Sequence, residues 1–510
     1  MMHIKKLLSE HFCEFYDIKD GPYTIEMIDA RNLIVPERLD LIAKYKYIEH
    51  REKGLNLSYA KDLYIAHIEA FSSGTFIEPG QEKTKNSASA YLRVFDGLID
   101  SVKAGGFDSA VSVVPVGRGN IILDGSHRTA IAAYYNIPLP IIRFDHLATP
   151  NYGASFFAGN FLTPDYLDYM VSVYCSLKKN VYMGMLWPRA FTKIDSNGTI
   201  DVIIHNYCKI VFKKELRLAF NGLASLMTQV YHQEEWLGNA KNGFAGANSK
   251  ALECYDKNEK ITVYILESDD AKAVLDLKQK IRDITGIANS AIHTTDSAAE
   301  TVLLCKTLLN KNSLHLLNYG VPGNLKKAHE KFDLFKQRLL EHNLDIEEFI
   351  IDSSGVLGLY GLRDIEDIDF LSVSKKCENM EDDTIRNHHE YLKYYGKTLD
   401  ELIFDPTNYL YYNNTKFITL EAIRIMKKNR DEPKDIRDVA LIDSFLQKHY
   451  SKKQAIIHFI RKIEPPLIRK WRNFRDAAIK CAIKLLKITR TYTLVRGLYR
   501  KIKRPPQDTI

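Results

Sequence analysis

The chain lacks the patterns that mark several classes of protein. Its seven cysteines are scattered singly and form no C-x-x-C pair, which disfavours a zinc ribbon, a thioredoxin-type motif and a disulfide scaffold. No run approaches the roughly 18 to 20 apolar residues needed to cross a bilayer, and the first residues lack the apolar core and cleavage site of a signal peptide. The sequence also has no repeat of fixed period and no low-complexity segment. We therefore expect a cytoplasmic protein with reduced thiols.

Length and charge set the next bounds. A chain of 510 residues is too long for one hydrophobic core, so two to four domains are expected. The net charge of +7 is distributed unevenly, because residues 451–510 hold 17 Lys and Arg against 3 Asp and Glu. This segment carries +14, which leaves −7 for residues 1–450. The asymmetry predicts an anionic partner for the tail, either a membrane surface or nucleic acid.

Apolar spacing and turn residues divide the chain into four predicted segments. Residues 1–146 and 261–450 mix helical and strand patterns, which predicts a multidomain α/β protein of mixed α+β character. Residues 147–260 have short apolar runs to which we assign no role. Within them, "IDVIIHNYCKIVF" predicts a hairpin or a buried pair of strands. Residues 451–510 form the basic tail.

The tail predicts an amphipathic helix over residues 477–499. Apolar and basic positions alternate there at helical spacing: Ile479, Ile483 and Leu486 against Lys480, Lys484 and Lys487. Such a helix, without aromatic platforms or a groove-reading motif, is more typical of a membrane surface than of sequence-specific DNA binding. We expect a peripheral position at the inner face of the membrane. The alternative is a solvated helix packed on the body.

A first motif lies in "NIILDGSHRTAIAAYYNIPLPIIRF", where a strand, a tight turn, a helix and a second strand are predicted in turn. The free N–H groups at a helix N-terminus favour an anion such as phosphate. Gly125 lets the backbone approach a ligand closely. Arg128 can bind two phosphate oxygens, Ser126 can donate one more hydrogen bond, and His127 can orient a phosphate or shuttle a proton.

Asp124 has several possible roles in this motif. It could hold Arg128 or His127, bind a metal ion, or act as a base. The alternative for the whole motif is structural: Asp124 caps the helix, Gly125 makes the turn, and the His and Arg are solvated.

The segment 91–144 resembles the ParB/sulfiredoxin-like domain in its order of helix, strand, Gly-rich turn, strand, G-x-H-R helix and final strand. The resemblance extends over about residues 30–146. It implies that the N-terminus of the helix after Asp124 binds nucleoside triphosphate through Gly125, Ser126, His127 and Arg128, and that Glu78 in "FIEPGQ" acts as an acid or base. The sulfiredoxin cysteine is absent, so peroxiredoxin repair is not expected. No helix-turn-helix follows the motif, which weakens a DNA role.

A second motif is "DSSGVLGLYGLRDIEDIDFL". Residues i and i+2 of a strand face the same side, so Asp367 and Asp369 would present two carboxylates together. Such a pair favours a cation, and Mg²⁺ with a nucleoside triphosphate is the obvious one. The turn at Ser354 and Gly355 could hold phosphates, and Arg363 could meet another. The alternative is an acidic loop whose carboxylates are solvated.

This second motif resembles the polymerase-β-like nucleotidyltransferases, in which a Gly-Ser pair precedes a D-x-D strand. Here the small pair is Ser-Gly. The resemblance covers part of residues 261–445 and includes "KDIRDVALIDSFL", which is similar to the helix that closes small members of that family. It implies a third metal-binding carboxylate from a later strand, and Asp405 is the nearest candidate.

Two weaker signals lie between these motifs. The Gly-rich "YHQEEWLGNAKNGFAGANSKALECY" contains Trp236 and Lys250 and could hold a sugar or phosphate, or form a surface loop. In "SAIHTTDSAAETV", His293 and Asp296 could form an acid/base pair, or Asp296 and Glu300 could belong to a helix N-terminus.

Together, these patterns predict a nucleoside-triphosphate-dependent transferase that uses Mg²⁺ for nucleotidyl or phosphoryl transfer to a small-molecule or glycan acceptor. By analogy with fused enzymes, we expect a setting in bacterial surface-polysaccharide biosynthesis. Two alternatives remain: a kinase that works only through the N-terminal module, and a nucleotide-gated binding or scaffold protein.

Overall fold

Three β-sheets with their helices make up the chain in the computed structural model. It describes residues 4–72, 76, 84–160, 162–194, 197–321 and 326–448, together with positions 478, 481, 482, 484, 485 and 488. The mixed α/β class predicted from the sequence is confirmed, because each sheet is packed by helices from the same part of the chain.

The first sheet belongs to the N-terminal part. Its elements are α1 (Glu10–Phe15), β1 (Glu26–Asp29), α2 (Asp40–Glu52), α3 (Ser58–Ser72), α4 (Ala88–Gly105), β2 (Val114–Val116), α5 (Ser126–Tyr135) and β3 (Pro138–Arg143). The central β3 pairs antiparallel with β1 and parallel with β2. The predicted helix and final strand are confirmed. The predicted strand before the helix is wrong: its residues make only the bridge Val116–Ile122, because a 3₁₀ turn at Arg118–Asn120 reverses the chain first.

The second sheet contains β4 to β7 and forms the middle of the chain. Its elements are α6 (Ala154–Gly159), α7 (Pro164–Leu177), β4 (Val181–Leu186), α8 (Asn197–His205), β5 (Lys209–Arg217), α9 (Phe220–Val230), α10 (Ala245–Cys254), β6 (Lys260–Glu267), α11 (Ala271–Thr285), β7 (Ile292–Thr294), α12 (Ala298–Leu308) and α13 (Lys311–Tyr319). All neighbouring strands are antiparallel in the order β5-β6-β4-β7. Two β-α-β units therefore interleave, as in a split β-α-β fold. The run predicted as a hairpin or strand pair is instead α8 followed by β5, so that prediction is wrong.

The third sheet forms the C-terminal part, with strand order β10-β9-β8-β12-β11. Its elements are α14 (Lys326–Glu341), β8 (Phe349–Ile351), α15 (Ser353–Leu359), β9 (Ile368–Ser372), β10 (Ile385–Asn387), α16 (Leu399–Phe404), β11 (Tyr409–Tyr412), β12 (Thr415–Ile418), α17 (Leu420–Arg430) and α18 (Pro433–Lys448). β8 pairs antiparallel with β9 and parallel with β12, and β9 pairs parallel with β10. The C-terminal end of β8 therefore lies beside the start of β9, and the short β10 runs along the other side of β9.

The buried apolar residues do not follow the predicted boundaries at residues 146 and 260. One large core runs from Ala30 to Leu317 and joins the first two sheets, and a second core runs from Leu316 to Ile442. The sheet in the middle joins strands from both sides of residue 260, because β6 pairs with β4 on one side and β5 on the other. The described chain is therefore built around two principal cores that meet near residue 317.

Most of the basic tail lies outside the described residues. Its six described positions are helical and exposed. Within the part of the chain that the structure describes, no helix is long and apolar enough to cross a bilayer. The amphipathic membrane-binding helix stays a prediction.

Candidate functional site

Three polar side chains converge at the edge of the third sheet. Asp352 follows β8, Asp369 lies in β9, and His388 follows β10. Backbone hydrogen bonds set their register: Asp352 N donates to the Asp369 carbonyl oxygen (2.9 Å), and His388 N donates to the Phe370 carbonyl oxygen (2.8 Å). One ligand atom from each side chain lies within 4.8 Å of the other two. We call these three residues the acidic cluster.

Asp352 is the buried centre of the acidic cluster. Its side chain is fully shielded from solvent, and its two oxygens lie 3.1 Å from Nδ1 of His388. The hydroxyl of Tyr395 donates to Oδ2 of Asp352 at 2.8 Å. Ser353, the next residue, has φ of +50°, an uncommon conformation for a residue with a Cβ. Neighbouring strands and this strained turn thus fix the carboxylate in place.

The electrostatics of the cluster favour an added cation. Burial, followed by the charges of Asp352 and Asp367, raises the pKa of Asp369 to about 6, although His388 opposes the rise. Burial acts to lower the pKa of His388, but the charge of Asp352 and its hydrogen bond raise it above the usual value. The carboxylates therefore carry more negative charge than one imidazole balances, which a divalent ion would relieve.

The structure places the two members of the predicted pair Asp367 and Asp369 in different surroundings. Asp369 belongs to the cluster, whereas Asp367 lies beside it and approaches Nη1 of Arg386 at 3.5 Å. The sequence reading missed Asp352 and His388. An acidic residue directly before the Ser-Ser-Gly turn was the available signal for Asp352. No pattern pointed to His388, because its strand is short and starts in an acidic loop.

Asp405, predicted as the third metal ligand, is not part of the cluster. It caps the end of α16, where its Oδ1 accepts hydrogen bonds from the backbone N (2.8 Å) and hydroxyl (2.7 Å) of Thr407. Its charge acts on Tyr59 and Tyr169 instead. The correction follows from topology: α16 precedes β11, an edge strand on the far side of the sheet from β9.

The predicted phosphate contacts near the cluster have different surroundings. Nε and Nη2 of Arg363 bind the two oxygens of Asp438 on α18 at 2.7 and 3.0 Å, so this guanidinium already holds two segments of the protein together. A Cβ on Gly355 would lie 2.5 Å from Cγ2 of Ile351, so glycine there allows α15 to pack on β8. The hydroxyl of Ser354 is buried and has no hydrogen-bond partner among the described residues. Of the three, only Ser354 keeps a free polar group.

The first motif opens onto a cavity of about 680 Å³ in the N-terminal part. Asp124, Gly125, Ser126 and His127 line it at the N-terminus of α5, and the buried side chains of Arg38, Asp40 and Lys44 line another part. We call this space the N-terminal cavity. Its size and the free N–H groups of α5 suit a phosphorylated ligand.

The turn before α5 is tightly fixed. Gly125 has φ of +83°, and a Cβ there would lie 2.7 Å from Nη2 of Arg128 and 3.0 Å from Cγ2 of Val114. Oδ2 of Asp124 accepts a hydrogen bond from the hydroxyl of Ser9 at 2.9 Å, and Oδ1 accepts one from Gly125 N at 2.6 Å. Asp124 thus anchors the turn and contacts neither Arg128 nor His127 by a hydrogen bond.

Arg128, predicted as a phosphate contact, points away from the N-terminal cavity. Its Nη1 donates to the hydroxyl of Ser112 and to the carbonyl oxygen of Val113 (3.1 Å), and it does not line the cavity. Burial lowers its pKa, opposed by the charge of Asp124. Its role is to brace the turn behind Gly125. Glu78, the predicted acid or base, lies outside the described residues.

The surroundings of His127 favour its neutral form. Burial and then the charges of Lys44 and Lys85 lower its pKa well below the usual value. Its Nε2 lies 2.9 Å from the hydroxyl of Tyr64. Lys44 also binds Asp40 at 2.9 Å, and Asp40 in turn accepts hydrogen bonds from Arg38 at 2.8 and 2.9 Å. A proton-shuttling role for His127 would therefore start from the neutral imidazole.

Comparison with known protein families, curated proteins and solved structures finds no match for this chain. The resemblances to the ParB/sulfiredoxin-like domain and to the nucleotidyltransferases stay predictions. The acidic cluster and the N-terminal cavity are the features of the chain from which a function can be inferred.

Proposed function

We propose that the chain is a nucleoside-triphosphate-dependent transferase whose catalytic centre is the acidic cluster with a bound divalent cation. The observation that carries the proposal is the carboxylate pair of the buried Asp352 and the half-buried Asp369, whose ligand atoms lie within 4.8 Å of each other and of His388. Carboxylates suit Mg²⁺ or Mn²⁺, and imidazole is a better ligand for Mn²⁺ or another transition metal than for Mg²⁺. The donor set thus fits Mg²⁺ or Mn²⁺ with water and phosphate completing the coordination.

The chemistry proposed there is nucleotidyl or phosphoryl transfer to a small-molecule or glycan acceptor. A divalent ion would supply charge neutralisation for the triphosphate. Asp352 and Asp369 would hold that ion, and His388 with Tyr395 would keep Asp352 in position. The buried hydroxyl of Ser354 offers a donor for a phosphate oxygen. The basic tail, with a net charge of +14, is the proposed contact with an anionic membrane surface.

A second candidate function is phosphoryl transfer in the N-terminal cavity. Its support is the joint lining of the cavity by the N-terminus of α5 and by Lys44 and Arg38. In that case the acidic cluster would be inactive or would bind the acceptor.

Product analysis separates the two functions. The purified chain is incubated with Mg²⁺ or Mn²⁺ and each of ATP, CTP, GTP and UTP, with a cell extract as the source of acceptor. Pyrophosphate release that disappears in Asp352→Asn and Asp369→Asn supports transfer at the acidic cluster. Nucleoside diphosphate whose formation survives both substitutions supports the N-terminal cavity.

The matched control is Asp383→Asn, which removes one exposed carboxylate from the loop before β10. Its activity should equal that of the unmodified chain. If the unmodified chain neither binds nor turns over any of the four nucleotides with either metal, the proposed function is wrong.

A further inference from the structure

A cleft of about 910 Å³ lies in the middle of the chain, away from both sites described above. Three segments form it: residues 230–253, the inward face of α11, and residues 289–303. The fold thereby brings together the two weaker sequence signals, the Gly-rich segment and the segment around His293. We call this space the middle cleft.

One wall of the middle cleft is aromatic. Trp236 is 47% exposed although it is among the largest apolar side chains, and its ring centroid lies 5.2 Å from that of Tyr231. Tyr231 in turn packs edge-on against His293 at 5.1 Å. A Cβ on Gly246 would lie 1.9 Å from the carbonyl oxygen of Trp236, so this glycine allows α10 to support the Trp236 backbone directly. A supported, half-exposed indole is a surface on which a ring can stack.

The middle cleft also contains two cations that form no ion pair with another described residue. Lys278 and Arg282 are one turn apart on α11 and both line the middle cleft. Among the described residues, neither side chain makes a hydrogen bond or an ion pair, and Nε of Arg282 is buried. Like charges at this spacing repel and destabilise a helix. An anion bound between them would relieve this repulsion.

Three of the four carboxylates that line the middle cleft, Glu234, Glu253 and Glu300, are engaged by other protein groups, and the fourth, Asp296, is exposed. Oε1 of Glu300 lies 3.3 Å from Nε2 of His293, and Oε2 accepts a hydrogen bond from the backbone N of Asp296 at 2.7 Å. Glu253 is paired with Lys250 at 3.5 Å. Burial lowers the pKa of Lys278, and Arg282 lowers it further, while Asp296 and Glu300 raise it. The nearby acids thus moderate the repulsion without pairing with either cation.

The N-terminus of α12 adds a third feature. Ser297 caps this helix of 11 residues through a hydrogen bond from Glu300 N (3.2 Å), and Ser297 and Ala299 line the middle cleft. The N-terminal end of α12, where backbone N–H groups lack acceptors within the helix, therefore borders the same cleft as Lys278 and Arg282.

We propose that the middle cleft binds a phosphorylated ring compound, either a sugar phosphate or a nucleoside monophosphate. Its phosphate lies between Lys278, Arg282 and the N-terminus of α12, and its ring stacks on Trp236. This inference does not depend on catalysis at the acidic cluster.

Calorimetric titration of the full chain tests the proposal with four probes: glucose 1-phosphate, AMP, inorganic phosphate and glucose. At least one phosphorylated ring compound is expected to bind more tightly than inorganic phosphate, and glucose weakly or not at all. Lys278→Gln/Arg282→Gln should weaken that binding at least tenfold, and Trp236→Ala should weaken the ring compound more than inorganic phosphate. Which of the two phosphorylated compounds binds identifies the source of the ligand.

The matched control is Lys272→Gln/Lys280→Gln, which removes the same charge from exposed positions of α11. It should bind as the unmodified chain does. The thermal midpoint of Lys278→Gln/Arg282→Gln should be unchanged or raised, because no ion pair is lost. The proposal is overturned if neither phosphorylated compound binds, or if binding is the same in the cleft variant and the control. Either result leaves the acidic cluster's function to be judged by its own product analysis.

Discussion

Asp369 gives the acidic cluster a defined dependence on pH. With a pKa of about 6 in the folded protein, against about 3.9 in an unfolded chain, this carboxyl binds more protons when folded. Its contribution to stability is therefore lost as pH rises from about 4 to 6 in the absence of metal. Metal binding must displace the proton, so we expect the rise in thermal midpoint produced by Mn²⁺ or Mg²⁺ to grow between pH 5 and pH 7.5.

Asp369→Asn checks the origin of that dependence. The amide cannot ionise, so the metal-induced rise should be lost at every pH, while Asp383→Asn should keep it. A rise of equal size at pH 5 and pH 7.5 would contradict the assignment of the metal to this carboxylate.

Gly125 provides a second test at a single position. An alanine at this position would have to adopt a left-handed backbone conformation, and its Cβ would contact Arg128. The guanidinium of Arg128 is held by Ser112 and Val113 and cannot move aside freely. Gly119, with φ of +71° and no atom near the position of a Cβ, isolates the backbone effect. In urea unfolding, Gly119→Ala should cost about 1–2 kcal/mol, and Gly125→Ala a further 1 kcal/mol or more, on the order of an overpacked site. An equal loss of unfolding free energy in the two variants would mean that the Arg128 side chain moves aside.

The acidic cluster shows what a sequence can reveal about a site. Asp369 was recognisable because the D-x-D pattern is local. Asp352 and His388 are 36 positions apart, and only the pairing of β8, β9 and β10 brings their side chains together. Likewise, the sequence predicts phosphate binding for Arg363 and Arg128 from their residue type and their place in the motifs. It does not reveal their protein partners, because these are distant in sequence.

The helices α17 and α18 are held together by buried charge. Lys427, only 2% exposed, lies between Asp435 (3.1 Å) and Asp438 (2.9 Å), and Arg430 and Arg363 complete the set. Lys427→Met would leave buried carboxylates short of a partner. We expect a loss of about 3–5 kcal/mol in the free energy of unfolding, measured in urea. Lys428→Met, one position along on the exposed side, should change it by less than about 0.5 kcal/mol.

The helix α8 occupies a run of residues whose local pattern predicts strands. The run "IDVIIHNYCKIVF" is rich in β-branched residues, which favours strands. In the fold, Ile200 and Ile204 are buried four positions apart in a core that also contains Leu266 and Ile281, so the helix gains its stability from packing. Only the last four residues of the run belong to β5. The fold class was predictable because the strongest helical and strand patterns in the sequence form helices and strands in the structure. In this short apolar run, by contrast, tertiary contacts determine the secondary structure.

The two principal cores predict how the chain divides. A fragment of residues 1–260 would lose most of β6 and all of β7, and it would expose edges of β4 and β5. A fragment of residues 1–319 keeps the first core complete. We expect the longer fragment to be soluble and to unfold cooperatively by circular dichroism, and the shorter one to aggregate or unfold without a clear transition. Similar behaviour of the two fragments would show that β6 is dispensable.

The hydrophobic core shared by the first two sheets connects the N-terminal cavity with the middle cleft. Tyr64, near the N-terminal cavity, and Tyr174, in the middle of the chain, belong to the same buried cluster, and Nζ of Lys178 donates to the carbonyl oxygen of Ile34 at 2.9 Å. Some backbone amides exchange with solvent only when this buried cluster unfolds. For these amides, the N-terminal part and the middle part must unfold together. A ligand in the middle cleft would therefore slow deuterium uptake in α3 and α5 as well as in α11 and α12, so the two parts would report each other's occupancy without any change of shape.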